Sequence, residues 1–228
     1  MQKITFMQWS VQPPAGSTLE TDPFGNRLLY GNCSVPHDTF EVSLRAVVTK
    51  LAWQEPEAMP AYRFGMLRTA SPLTSMGEAL RAFYAALPKN ENDAPWNRAS
   101  MLMNALYGAF RYETGSTRYD TNAEEAFAQG CGVCQDYAHI LLALLRHEHL
   151  TARYVAGTIP GEGQTHAWIE VLDNGFWCGF DPTHNRETDD SYISFTVGRD
   201  ALDCSLNRGI LKNACEKSQH VIVKMEEF

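Results

Sequence analysis

One helix in the middle of this chain restricts the folds open to it. Between a start near Val133 and an end at about His149, Tyr137, Ile140, Leu141, Leu144 and Leu145 make it apolar over much of its circumference. Such a helix cannot lie on a surface with one side in water, so other elements must surround it. Its longest apolar stretch, Ile140 to Leu145, is far short of the roughly 20 residues that cross a bilayer. It belongs in the core of a domain, and no membrane partner is expected.

The flanking segments supply the surrounding elements. After the helix, Thr151 to Thr158, His166 to Leu172 and Phe176 to Phe180 read as strands, with Asn174-Gly175 as a hairpin turn between the last two. Later strands are expected at Tyr192 to Val197 and His220 to Met225. Before it, Ser75 and Glu78 fit a capping box for a helix over Ala79 to Leu87, which Pro88 stops. A second helix covers about Arg98 to Tyr112, and Thr121 with Glu124 opens a third that ends at Gly130. The first fifty residues read as strands at Lys3 to Trp9, Arg27 to Val35 and Phe40 to Val48, with turn chemistry at Asp22-Pro23-Phe24-Gly25-Asn26. Alternation from Phe40 to Val48 predicts one core-facing side. Pro56, Pro60 and Pro72 mark a surface linker. The division is a β region over 1–53, a linker over 54–74 and an α+β core over 75–228.

With 19 Lys and Arg against 27 Asp and Glu, the net charge of −8 argues against a phosphate-tracking surface and hence against nucleic acid. The opening residues show no secretory h-region or cleavage site, so a cytoplasmic location is expected. In that setting the six cysteines read mostly as free thiols.

Cys134 falls in the first turn of the central helix, where unpaired N–H groups and the helix dipole favour a thiolate. The competing reading is a buried structural cysteine. A thiolate nucleophile needs an imidazole partner. His139 is on the same helix but points about 140° away and lies about 7.5 Å up the axis, so it reads as a packing residue. His166 shares a strand face with Trp168 and Glu170, opposite Ala167, Ile169 and Val171. If Asn174 and Gly175 are the two central residues of the turn, His166 lies diagonal to Asp181 on one face. A turn one residue earlier makes them direct neighbours, and a three-residue loop separates them unless a bulge intervenes. An Asp beside a His fixes its tautomer and stabilises the imidazolium. The alternative is a polar cross-strand pair on a solvated face.

The ordered stretches Gly132-Val133-Cys134-Gln135-Asp136-Tyr137-Ala138-His139, Ala152 to Gly157, His166-Ala167-Trp168-Ile169-Glu170-Val171 and Gly179-Phe180-Asp181-Pro182-Thr183 closely resemble the bacterial transglutaminase-like cysteine enzymes. Tyr112, Gly115-Ser116-Thr117, Val197-Gly198-Arg199-Asp200 and Arg208-Gly209 continue the resemblance over about 75–228. It implies an α+β, papain-like core with a central helix packed on an antiparallel sheet, Cys134 as nucleophile, His166 as base and Asp181 as its orienting acid. The β region resembles the N-terminal part that often precedes such a core.

The chain departs from that pattern at Cys131, creating a Cys131-x-x-Cys134 pair. By spacing alone it could be a redox couple or half a zinc site, but no second ligand pair completes the latter, so no metal and no cofactor are expected. A reversible disulfide here would block the nucleophile; equal activity of oxidised and reduced protein would dismiss it. Trp168 and Trp177 share the face of His166 and are candidates to line a substrate cleft, with the loop 159–165 at its mouth. The expected reaction is acyl transfer on an amide of a peptide or protein substrate, with hydrolysis favoured over transamidation or deamidation. A non-catalytic binding module on the same fold is the rival from another class.

Overall fold

The computed structural model describes all residues except 1, 53–54, 59, 90–92, 162–164, 211, 213–217, 219 and 227–228. The chain forms two compact units, Met1–Glu55 and Pro56–Phe228. In the first, β1 (Gln2–Gln12) is followed by β2 (Gly16–Thr21) and β3 (Arg27–Asn32), which form an antiparallel hairpin. Asp22 Oδ1 accepts from the Phe24 and Asn26 N–H groups, both at 2.8 Å, and Gly25 takes φ +89°, so the turn forms as its residues predict. Strand β4 (Glu41–Lys50) runs antiparallel to β1. Ile4/Val48, Met7/Ala46, Trp9/Leu44 and Val11/Val42 are opposed on the ladder and share one face. The predicted core side of Phe40 to Val48 is not buried, however: Val42 is 48% and Leu44 64% exposed. Alternation specifies a sheet face, but a two-stranded ladder has no second layer of its own to cover it.

The second unit begins with segments read above as linker. Residues 61–74 instead hold α1 (Ala61–Arg68) and a 3-10 turn (Pro72–Thr74), with Leu67 and Leu73 buried. Pro60 precedes the first residue of α1 and Pro72 opens the 3-10 turn, positions where a missing N–H costs nothing. Helix α2 (Glu78–Ala85) is capped from a distance: the Glu124 carboxylate accepts from the N–H groups of Gly77, Ala79 and Leu80 at 2.8, 2.7 and 3.1 Å. The Ser75/Glu78 box does not form; Ser75 Oγ donates to the Pro72 carbonyl. Helix α3 (Pro95–Ala109) starts on Pro95 and is followed by the two-residue strand β5 (Arg111–Tyr112). Helix α4 (Ala123–Gln129) is boxed by Asn122 and Glu125, one residue beyond the predicted pair, which frees Glu124 for α2. It ends at Gly130 with φ +80° and leads into β6 (Cys131–Gly132), parallel to β5.

Helix α5 (Cys134–His147) is buried from Asp136 to Arg146, as its apolar circumference demands. It packs on an antiparallel sheet formed by β7 (Ala152–Thr158), β8 (His166–Asp173), β9 (Phe176–Asp181), β10 (Arg186–Glu187) and β11 (Ile193–Gly198), in the order β10-β9-β8-β7-β11. Ala152, Tyr154, Ala167, Ile169, Val171 and Phe180 join α3 and α5 in the main core. On the other face, Val155, Ile159, Trp168 and Tyr192 form a smaller core. The strand predicted at His220 to Met225 does not form; these residues have no regular structure, and Ile222 is 78% exposed. The segment pairs with no strand of the described residues, and an isolated strand leaves its backbone polar groups to water.

Arg146 fastens the C-terminal end of α5. Only 3% exposed, its guanidinium donates to the carbonyls of Leu67, Ala152 and Arg199 and to Thr74 Oγ1 at 3.1, 3.1, 2.6 and 2.8 Å. Burial pulls its pKa down to about 10, opposed by the charge of Asp200. Arg146→Leu strands four buried acceptors, so chemical denaturation is expected to show a loss of about 3–5 kcal/mol.

Candidate active site

The nucleophile turn is shaped by Asp136. Val133 is extended, and its N–H donates back to Asp136 Oδ2 at 2.8 Å, closing the first turn of α5 around Cys134. Thr117 Oγ1 donates to the same oxygen at 2.6 Å, fixing the 113–117 segment beside the turn. Burial pushes the Asp136 carboxyl up, against these two hydrogen bonds. Gly132 has no room for a side chain, because a Cβ would lie 2.5 Å from Asp136 Oδ2. Cys134 is thus the first residue of α5, on a helix end fixed by its own turn, and it is partly exposed.

The hairpin delivers the imidazole. Asp173 opposes Phe176, and Asn174 and Gly175 take φ +48° and +85°, so the two-residue turn is the one that forms. Ile169 opposes Phe180, which leaves His166, the first residue of β8, diagonal to Asp181, the last residue of β9. His166 Nε2 and Asp181 Oδ2 are 2.8 Å apart, with side chains 1% and 0% exposed. Burial disfavours a charged His166, but hydrogen bonds to Asp181 and to the Cys134 side chain outweigh it and raise its pKa to about 10. With Nε2 on Asp181, Nδ1 is the ring nitrogen left for the thiol.

Asp181 is surrounded by donors. Besides His166, Oδ2 accepts from Tyr192 OH at 2.7 Å and is 2.7 Å from His184 Nδ1, while Oδ1 accepts from the N–H groups of Thr183 and His184 at 2.9 and 3.3 Å. Burial pushes this carboxyl up, but the bonds from His166, His184 and Tyr192 prevail and hold it well below the usual carboxylate range. His184 and Tyr192 do not emerge from the sequence reading. His184 had a local signal, since it sits three residues after Asp181 in a turn opened by Pro182; Tyr192 had none.

The other candidates have different surroundings. His139 is fully buried, its Nε2 accepts from the Ala201 N–H at 3.2 Å, and burial lowers its pKa to about 4, so it is a neutral packing residue. Trp168, 1% exposed, forms a wall behind His166 and meets Tyr192 edge-on at 5.3 Å. Trp177 lies at the hairpin end, its Nε1 donating to Glu57 at 2.7 Å and its ring covered by the Arg153 guanidinium at 4.0 Å. Cys131 and Cys134 are both free, and Cys131 is buried beside Gln129. Of the loop 159–165, residues 162–164 lie outside the described residues, as does Cys215. His166, Asp181 and His184 could offer three ligand atoms to an ion. Those same atoms already hydrogen-bond at 2.7 and 2.8 Å, closer than the roughly 3.3 Å between ligands around a tetrahedral zinc.

Comparison with known proteins bears on this arrangement. A model of the transglutaminase-like superfamily matches residues 82–182. An uncharacterized protein of Mycobacterium leprae is 30% identical over 196 residues, which cover 80% of this chain and 68% of the relative. The chain belongs to the transglutaminase-like superfamily. An uncharacterized protein of Mycobacterium tuberculosis is likewise 30% identical over 252 residues, covering 95% of this chain and 79% of its own. A likeness of fold extends to a candidate cysteine protease from Cytophaga hutchinsonii, with a TM-score of 0.75 at 23% identity, covering 90% of this chain and 74% of that one. Cys134, His166 and Asp181 all lie inside the transglutaminase-like match, whereas His184, Arg186 and Tyr192 come after its last residue. Among the described residues no helix is long and apolar enough to cross a membrane.

Proposed function

We propose that this protein is a cysteine-dependent hydrolase of amide bonds in a peptide or protein, with Cys134 as nucleophile, His166 as acid and base and Asp181 as orienting carboxylate. The observation that carries the reading is the buried His166 ring, bound to Asp181 at 2.8 Å, with Cys134 at the start of α5 among the groups that raise its pKa. Superfamily membership supports it.

The proton shared by the pair rests on His166, and the Cys134 sulfur attacks the amide carbonyl as a thiolate. The Cys134 N–H, at the start of α5, donates to the developing oxyanion. As the C–N bond breaks, the imidazolium gives its proton to the departing amine, leaving a thioester on Cys134. Water then attacks that carbonyl, losing its proton to His166, and the S–C bond breaks to release the acid and restore the thiolate beside the imidazolium. Asp181 stays ionised throughout and supports the imidazolium in both steps.

Mass spectrometry of a peptide library incubated with the protein, with and without a primary amine, tests the reaction. Cleaved peptides that gain one water are expected, together with no turnover by Cys134→Ala. Amine adducts or a one-dalton gain at Gln would instead establish transamidation or deamidation. Full turnover by Cys134→Ala would reject the nucleophile.

A further inference from the structure

Tyr192 and Arg186 take no part in the steps above, yet they are built into the site. β10 pairs Arg186 directly with Asp181, and Arg186 Nε donates to Tyr192 OH at 2.9 Å while its guanidinium carbon lies 5.1 Å from the centre of the phenol ring. Tyr192 is 2% exposed, packed against Trp168, and 2.7 Å from Asp181 Oδ2. A guanidinium can only donate, so Arg186 must occupy a lone pair of the phenol oxygen. The single phenol proton is then committed to Asp181.

We infer that Arg186 and Tyr192 are a positioning pair that keeps Asp181 an ionised acceptor aimed at His166. A carboxylic acid proton on Asp181 would have to face one of the donors ringed around it: His166 and His184, the Thr183 and His184 N–H groups, and Tyr192. The phenol has its donor direction set by a neighbouring cation, and Asp189 and Asp181 are the carboxylates that act on that cation. The burial of Tyr192 and its bond to Asp181 raise the phenol's own pKa, which keeps its proton in place.

The inference rests on the nucleophile reading, so the test uses a probe that needs no substrate: the rate of iodoacetamide labelling at Cys134, read by mass spectrometry from pH 2.5 to 8 on the full chain. Tyr192→Phe keeps the ring and its packing. It is expected to move the acid limb of the labelling profile up by about one pH unit while changing the rate at pH 8 less than twofold, because Asp181 releases His166 at a higher pH when it loses a charge-assisted hydrogen bond. Arg186→Ala, at an exposed position, should move the profile in the same direction, and Arg186→Lys, which also only donates, should restore it. Arg186→Ala carries the test if Tyr192→Phe fails to fold. A profile unchanged in both, or slowed equally at every pH, overturns the positioning role. Wild-type labelling that is indifferent to His166→Ala overturns the nucleophile reading itself and the pair's role with it.

Discussion

Asp181→Ala is expected to lower turnover by about 10²–10⁴-fold, because His166 loses the group that fixes its tautomer and supports its positive charge. The same change should destabilise the fold. Asp181 is 0% exposed and gathers His166, His184, Tyr192 and two backbone N–H groups. Removing it leaves buried donors and a buried cation unpartnered, at a cost of about 3–5 kcal/mol. Asp181→Asn separates the two effects. The amide retains an acceptor and most of the volume, so denaturation should recover much of the stability, while turnover stays low because an amide carries no charge to balance the imidazolium. Equal turnover by Asp181→Asn and wild type would remove the carboxylate from the mechanism.

His166→Ala carries the other large effect, a loss of about 10²–10⁴-fold in turnover from removal of the acid and base. It also changes the pH dependence of stability. His166 is raised in the folded state to about 10, so its contribution is complete below the ordinary histidine value near 6.5 and is lost as pH rises through about 10. Asp181 is depressed, so its contribution is present above the ordinary carboxylate value and is lost as pH falls below it. The wild-type melting temperature should therefore be highest near pH 6.5: above it His166 loses its proton as pH approaches 10, and below it the buried neutral His139, lowered to about 4, resists the proton that the unfolded chain takes up. In His166→Ala the alkaline decline should flatten. A wild-type melting temperature that rises from pH 7 to 10 would contradict a protonated His166.

Much of this geometry could be read from local sequence. Asn174-Gly175 supplies the two left-handed residues that a tight hairpin needs, and the alternation of Ala167, Ile169, Val171, Cys178 and Phe180 sets the register. Together they place His166 and Asp181 on one face. The apolar circumference of α5 likewise marked the buried helix that carries Cys134. Non-local partners were less visible. Glu124 looked like a cap for its own helix but caps α2, because Asn122 and Glu125 form the local box one residue later. Pro60 and Pro72 looked like breaks but stand at helix starts. Tyr192 reaches Asp181 only because the chain reverses through Pro182 to Asn185 and pairs as β10, a contact that no periodicity announces.

The most direct measurement is a labelling race among the cysteines with limiting iodoacetamide at pH 6, read by peptide mass spectrometry in wild type and His166→Ala. If Cys134 is the nucleophile activated by His166, it is modified first in the wild type, ahead of Cys33 and Cys178, and loses that lead in the variant. Labelling of Cys134 no faster than Cys33, or a lead that survives the loss of His166, would contradict the account.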